Sequence, residues 1–329
     1  MAIKDWLQIG REHTSAIEIG VFLIIAYLAG VPPVLWVVYA VFGALYHYIG
    51  FGFNTLLDYD RYDRFDVNKT HHPLNRGAIS VQAVSRTLSI LMLIGIAYFF
   101  VLPVINYSRA PISLSVLIIS FIMFGSGVIM GFAYDLFAKE DKRFAGFTIS
   151  MSNTASAAGI YLVSGGTPDI QISLLLGWIF FYIAFQIWIG GEMKDIGNSH
   201  EKNILADMGA TVRADGNVMF SSMSGILYVI LMMGRLVTLS LVLYVSGTYY
   251  IAIGVLPVAI VYYARLLLPF KSRKKLLATL GAGEYITYAS MAIAITAFPA
   301  YEALFAILPF IVFLSLNRYM WGTYVAPMV

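Results

Sequence analysis

Apolar runs of about twenty residues recur along almost the whole of this chain, separated by short polar breaks. A helix needs about 20 apolar residues to cross the hydrocarbon of a bilayer. Runs of that kind fall at about 16–31, 34–56, 82–105, 111–134, 146–165, 172–193, 220–245, 248–268 and 283–299, and a further one at about 301–320 gives a tenth. Phe298-Pro299-Ala300 is the only break between the last two, so they form either two spans or one bent helix. In lipid every backbone N–H and C=O must find its partner inside the protein, which leaves helices and closed barrels. A barrel would show segments of about ten alternating residues, and these runs do not alternate. The expected fold is therefore all-α: a single polytopic membrane domain over 1–329 with nine or ten transmembrane helices, entered through an interfacial segment at 1–15.

Composition narrows the function classes. Only 12% of residues are charged and 60% are hydrophobic, against about a quarter charged in a soluble domain. Cysteine is absent, which excludes disulfides, thiolate metal sites and cysteine nucleophiles. A net charge of +3 is too small to imply nucleic acid as a partner. The opening MAIKDWLQIGREHTSAIEIG has no short apolar core with a small-residue cleavage site, so no cleavable signal peptide is expected.

The loops alternate in character. Gly30–Pro33, Asn106–Pro111, Gly165–Asp169 and Ser246–Gly247 are short and nearly uncharged, whereas 57–81, 135–145, 194–219 and 269–282 are long and charged. Most of the 21 Lys and Arg fall in the second set or the N-terminal segment. The positive-inside rule then places the charged loops in the cytoplasm.

Three of those loops carry the chemistry. The first is NTLLDYDRYDRFDVNKTHHPLNRG, from Asn54 to Gly77, at the end of an apolar run. Asn54 and Asp58 share a helix face at a spacing of four, and Asp63 and Asp66 are three apart. Mg²⁺ takes oxygen ligands, keeps several waters, and is commonly held by one or two carboxylates plus substrate phosphates. Carboxylates at a membrane boundary suit that task, and Lys69, His71, His72 and Arg76 follow as phosphate contacts. The second is GEMKDIGNSHEKNILADMGATVRADG at 191–216, where Glu192 and Asp195 can hold a second metal or act as a base, beside Lys194. The third, YDLFAKEDKRFAG at 134–146, supplies Tyr134, Lys139, Lys142 and Arg143 to a diphosphate. Inside the spans, Asn153, Gln186, Arg235 and His47 are the polar outliers. A polar side chain in a membrane helix marks either function or interhelical hydrogen bonding.

Together these segments resemble the UbiA superfamily of intramembrane prenyltransferases. The family pattern is an NxxxDxxxD motif after the second helix, then a basic Arg-Pro-Leu element, a Tyr-plus-Lys loop after the fourth helix, and a second Asp-rich motif after the sixth. Asn54 and Asp58 keep the family spacing, and KTHHPL at 69–74 stands at the Arg-Pro-Leu element, with His72 in place of the arginine. Tyr134 and Lys139 stand in the third loop. The chain departs at Tyr62, where the motif has aspartate, so Asp63 or Asp66 takes that role. Glu192 and Asp195 replace the usual DxxxD form. The GEMKDIGNSHEKNIL segment is loosely similar to the branch that makes polyprenyl-phosphoribose.

The resemblance implies a UbiA-type helical bundle and an Mg²⁺-dependent transfer from a polyprenyl diphosphate. The acceptor would be an aromatic quinone precursor, a glycerol-phosphate ether-lipid precursor or a phosphorylated sugar, with membrane lipids as surroundings. Asn54, Asp58 and Asp63 or Asp66 would hold Mg²⁺, and Glu192 with Asp195 a second ion. Lys69, His72, Arg76, Tyr134, Lys139, Lys142, Arg143 and Lys194 would receive the diphosphate, and Asp195 or Glu192 would take the acceptor's proton. Tyr182, Phe185 and Trp188 are candidate walls around an allylic cation. A membrane terpene cyclase would use the same diphosphate site without an acceptor. A secondary transporter would show internal repeats and midplane charges, and a degenerate relative would keep the fold alone.

Overall fold

The computed structural model describes residues 3–11, 14–61, 64, 72–106, 111–138, 140–196, 203–212, 218–268, 270, 273–296 and 304–322. Its helices are α1 (Ile3–Ile9), α2 (Ala16–Leu28), α3 (Trp36–Arg61), α4 (Val81–Asn106), α5 (Leu114–Ala133), α6 (Lys142–Val163), α7 (Ile170–Phe185), α8 (Glu192–Asp195), α9 (Ile204–Asp207), α10 (Ser222–Val245), α11 (Ala252–Leu266), α12 (Arg273–Thr296) and α13 (Leu304–Trp321). Two short strands, β1 (Thr211–Val212) and β2 (Val218–Met219), pair antiparallel, Thr211 opposite Met219.

The all-α expectation holds. Among the described residues six helical stretches are long and apolar enough to cross a bilayer: Pro33–Arg61, Val81–Asn106, Leu114–Ala138, Ile170–Gly191, Ser222–Val245 and Tyr249–Leu266. The expected runs at 16–31, 146–165, 283–299 and 301–320 also fall on helices, α2, α6, α12 and α13. They stand apart for physical reasons. α2 has only 13 residues. α6 opens on Lys142 and Arg143 and is rich in serine, and α12 opens on Arg273, Lys274 and Lys275. The Phe298-Pro299-Ala300 break lies outside the described residues.

Two of the short loops are closed by one device. At the end of α2 the Val31 N–H bonds Ala26 O (2.8 Å) and the Gly30 N–H bonds Tyr27 O (2.8 Å). This paired pattern needs a left-handed residue, which glycine supplies without a Cβ clash; Gly30 has φ 68°. Thr248 to Leu243 (2.9 Å) and Gly247 to Tyr244 (3.1 Å) repeat it after α10. The chain therefore reverses in two or three residues and leaves few backbone groups unpaired.

Two compact units divide the chain. The first, Met1–Ser120 with Ile160–Thr167 and Ile307–Ala326, pairs α2 with α3 and α3 with α4. Its polar groups are matched within it: Tyr39 donates to Ser164 Oγ (2.6 Å) and receives Asn106 Nδ2 (3.1 Å). α1 packs here, with Trp6 and Ile9 against Leu74, Ile79, Val84 and Leu88. The second, Phe121–Gly159 with Pro168–Ala306 and Pro327–Val329, is built on α7 against α10, and α11 against α12. Its core joins Phe185, Ile189 and Met193 to Tyr228, Tyr262, Tyr263, Leu276 and Leu280.

Close packing of α12 on α11 gives the first prediction. A Cβ on Gly283 would overlap the Tyr262 ring. The ring has no room to swing away, because its hydroxyl is bonded to Glu284 (2.9 Å). Gly283→Ala should lower stability by about 1–3 kcal/mol, the range for overpacking a filled core, read as a fall in thermal midpoint of the detergent-solubilised protein.

Candidate functional site

In the first unit α3 continues past its apolar run to Arg61, so Asn54 and Asp58 sit one turn apart on its last two turns, both half-buried. The helix carries no proline to stop it there. Asp63, Asp66 and Lys69 lie outside the described residues. His72 and Arg76 fall in a turn closed by Ala78 N–H to Pro73 O (2.9 Å) and by Gly77 at φ 69°. The Arg76 guanidinium is paired with Asp5 of α1, whose side chain is only 8% exposed. The N-terminal helix thus reaches a residue expected to bind diphosphate. His47 is an interhelical hydrogen bonder, as expected. Its Nε2 lies 3.2 Å from Thr14 Oγ1 and its Nδ1 3.2 Å from Glu18 Oε2.

In the second unit two of the charged loops, 135–145 and 194–219, are entered through a π-helical turn. One covers Tyr134–Ala138 at the end of α5, the other Gln186–Gly191 at the end of α7. Such turns insert one residue into the helical ring and recur at functional sites. Tyr134 opens the first, and Glu192 follows the second directly. Lys139 lies outside the described residues, as do the side chains of Lys194 and Asp195.

The loops are then tied together. Lys142, the first residue of α6, places Nζ 3.3 Å from Glu192 Oε1, and its carbonyl accepts from Trp188 Nε1 (2.8 Å). Glu192 is 5% exposed. Its Oε2 accepts the Ile204 N–H (2.8 Å), while its carbonyl accepts Asn203 Nδ2 (2.8 Å). Asn203 in turn caps α9 by accepting the Ala206 N–H (3.0 Å). Arg143 stands apart, 76% exposed on its side chain, in a two-pronged pair with Asp141 (2.8 and 2.6 Å). The hydrogen bond and charge of Asp141 push its pKa up, so Arg143 stays cationic at any working pH.

Sequence spacing assigned Glu192 to a metal or proton and Lys142 to a diphosphate. The fold pairs the two with each other. Tyr182 and Phe185, candidate walls around a carbocation, face the Arg235 guanidinium at 4.6 and 4.9 Å. Arg235 reaches Glu284 on α12, a residue sequence reading passed over. The signal was there: each is a lone charge of opposite sign in an apolar run. Gln186 donates to Tyr182 Oη (2.9 Å), and Asn153 donates back to Ile149 O (3.0 Å).

The donors fit Mg²⁺ to different degrees. Asn54 and Asp58 offer two hard oxygen ligands one turn apart, the donor chemistry Mg²⁺ accepts. Glu192 has one oxygen on an ammonium and the other on a backbone N–H. Among the described residues no group of three or more His, Asp or Glu gathers around a common point.

Glu192 can be tested as a fastener. Glu192→Ala strands the buried Ile204 N–H and should cost about 1–3 kcal/mol, while Glu192→Gln keeps an acceptor and should cost less. Thermal unfolding of the two variants gives the order directly.

No curated protein and no solved structure matches the chain significantly. The model of the UbiA prenyltransferase family matches residues 17–282. That span runs through α3, both π turns and the Lys142–Glu192 pair, and the chain belongs to the UbiA prenyltransferase family.

Proposed function

We propose that the protein transfers a polyprenyl group from a polyprenyl diphosphate to a lipophilic acceptor, with Mg²⁺, at the cytoplasmic face of a membrane. Prenyl transfer in a membrane is what the family does in general. The observation that carries the finer reading is the pair Asn54 and Asp58, one turn apart where an apolar helix of 29 residues runs out. A family match across residues 17–282 of the 329 supports one functional domain. Ten helices coincide with the apolar runs, and we take nine or ten to cross the bilayer. The concentration of Lys and Arg in the long loops supports a cytoplasmic site.

In this reading Asn54 and Asp58, with Asp63 or Asp66, hold Mg²⁺ in the first unit. When bound, the ion neutralises charge on a departing diphosphate. His72, half-buried in the turn after α3, would contact a phosphate oxygen. In the second unit Lys142 and Arg143 present cations at the start of α6. The prenyl C1–oxygen bond breaks with its electron pair leaving on the diphosphate. The acceptor's nucleophile then bonds C1, and its proton passes to Asp195 or Glu192. The surrounding apolar helices keep water from the allylic cation. An aromatic quinone precursor, a glycerol-phosphate ether-lipid precursor and a phosphorylated sugar are the acceptors considered. Phosphorylated ones would call on further cations such as Lys202 or Arg213.

Transfer from radiolabelled geranylgeranyl diphosphate into lipid extract tests this. A labelled adduct that disappears with EDTA and falls about 100-fold or more in Asp58→Ala is expected, the scale of losing a charge-stabilising group. Mass spectrometry of the adduct names the acceptor. An unconjugated hydrocarbon or alcohol would assign a cyclase instead. No diphosphate release across donors of several lengths would end the metal-site reading.

A further inference from the structure

Four helices of the second unit meet at one charge that the proposed reaction does not use. Arg235, midway along α10, is 1% exposed on its side chain and Glu284 of α12 is 4% exposed. Arg235 Nη1 and Nη2 donate to the two carboxylate oxygens at 3.1 and 2.9 Å, and Nη2 also donates to Thr287 Oγ1 at 2.6 Å. Tyr262 of α11 donates to the same carboxylate (2.9 Å). Rings of Tyr182, Phe185 and Tyr263 lie 4.6, 4.9 and 5.4 Å from the guanidinium carbon.

Stability alone is a poor reason for this arrangement. A buried ion pair can often be replaced by apolar side chains without loss, whereas removing one partner is strongly destabilising. An ionisable group deep in a membrane helix is a functional hypothesis by default. The neighbours of the pair indicate what it does. Tyr182, whose ring lies on the guanidinium, accepts the Gln186 amide, and Gln186 is the first residue of the π turn. Gly190, near the end of that turn, faces Leu280, one helical turn before Glu284. Glu192 comes immediately after the turn, holding Lys142 and the Ile204 N–H.

A π turn carries one residue more than the α ring it interrupts. Relaxing it to α would shift the register by one residue and rotate everything beyond it by about 100°. Glu192 would then turn away from Lys142. We propose that the Arg235–Glu284 pair is a positioning device: it clamps α7 at Tyr182, holds the π turn through Gln186 and Leu280, and so aims Glu192 and Trp188 at Lys142. Its effect on catalysis rests on the prenyl-transfer reading; its effect on the turn does not.

The test uses the full chain with Arg235→Met and Glu284→Leu together, which removes both charges and keeps apolar bulk. Tyr182→Phe is the second variant, keeping the ring on the guanidinium and removing the acceptor for Gln186. Two readouts are taken. The first is kcat for prenyl transfer. The second exploits the absence of cysteine: Leu205→Cys, at a fully buried position on α9, reports by maleimide labelling whether the Glu192-bound segment stays docked. Ile24→Cys, fully buried in the first unit, is the control. The expected result is a thermal midpoint close to wild type, kcat lower by about tenfold or more, faster labelling at 205 and unchanged labelling at 24. Tyr182→Phe should move both readouts in the same direction. A folded variant with wild-type kcat and wild-type labelling overturns the proposal and leaves the pair a packing feature. If the double variant does not fold, Tyr182→Phe decides by the same criteria. If the wild type itself transfers nothing and releases no diphosphate, the prenyl-transfer reading falls, and labelling at 205 alone decides the positioning claim.

Discussion

The hydrocarbon of a bilayer offers no water to a peptide group, and most of this architecture stems from that. Each backbone N–H and C=O at depth must be satisfied within its own segment, so the apolar runs close into helices such as Val81–Asn106 and Ser222–Val245. The ends of the helices are where backbone and side-chain polarity can be expressed. On one set of loops the chain turns back at once through glycine-closed ends after α2 and α10. On the other it carries Asn54, Asp58, Lys142, Arg143 and Glu192. Most of the charge is confined to those ends by the solvent rather than by any one contact.

The same constraint governs the polar groups that do enter the helices. In water an unmatched arginine would be hydrated; between α7, α10, α11 and α12 it must bring its partners with it. Arg235 does so with a carboxylate, a threonine and three rings. His47 does so with Thr14 and Glu18, and Asn106 with Tyr39. Each match joins different helices and fixes one against another in a way apolar packing does not. Leu against Leu tolerates sliding; a two-pronged guanidinium–carboxylate pair holds one register.

Helix positions were legible in the sequence because hydrophobic length is read directly by the bilayer. The expected runs fall on helices throughout, from α2 at Ala16 to α13 at Leu304. The spacing of Asn54 and Asp58 was legible for the same reason: α3 stays helical through both. Pairing across loops was not. Nothing in the spacing of Lys142 and Glu192, fifty residues apart, says that they meet. The π turns were hidden as well, because an extra residue in a helical ring leaves the hydrophobic pattern almost unchanged while re-aiming the side chains beyond it. Arg235 and Glu284 lie between these cases. Each is visible as a lone charge in an apolar run, and opposite charges in lipid need each other.

The fold also changes how the second motif is to be understood. A metal ligand must bring an available lone pair, and Mg²⁺ takes it from hard oxygens, commonly from one or two carboxylates. Glu192 has its charge opposed by Lys142 at 3.3 Å and one oxygen on the Ile204 N–H at 2.8 Å. A cation arriving there would compete with an ammonium and strand a buried donor, which costs more than an exposed exchange. That penalty weights Glu192 toward holding Lys142 and α9 in place. The loss in Glu192→Ala then tracks the geometry of the loop.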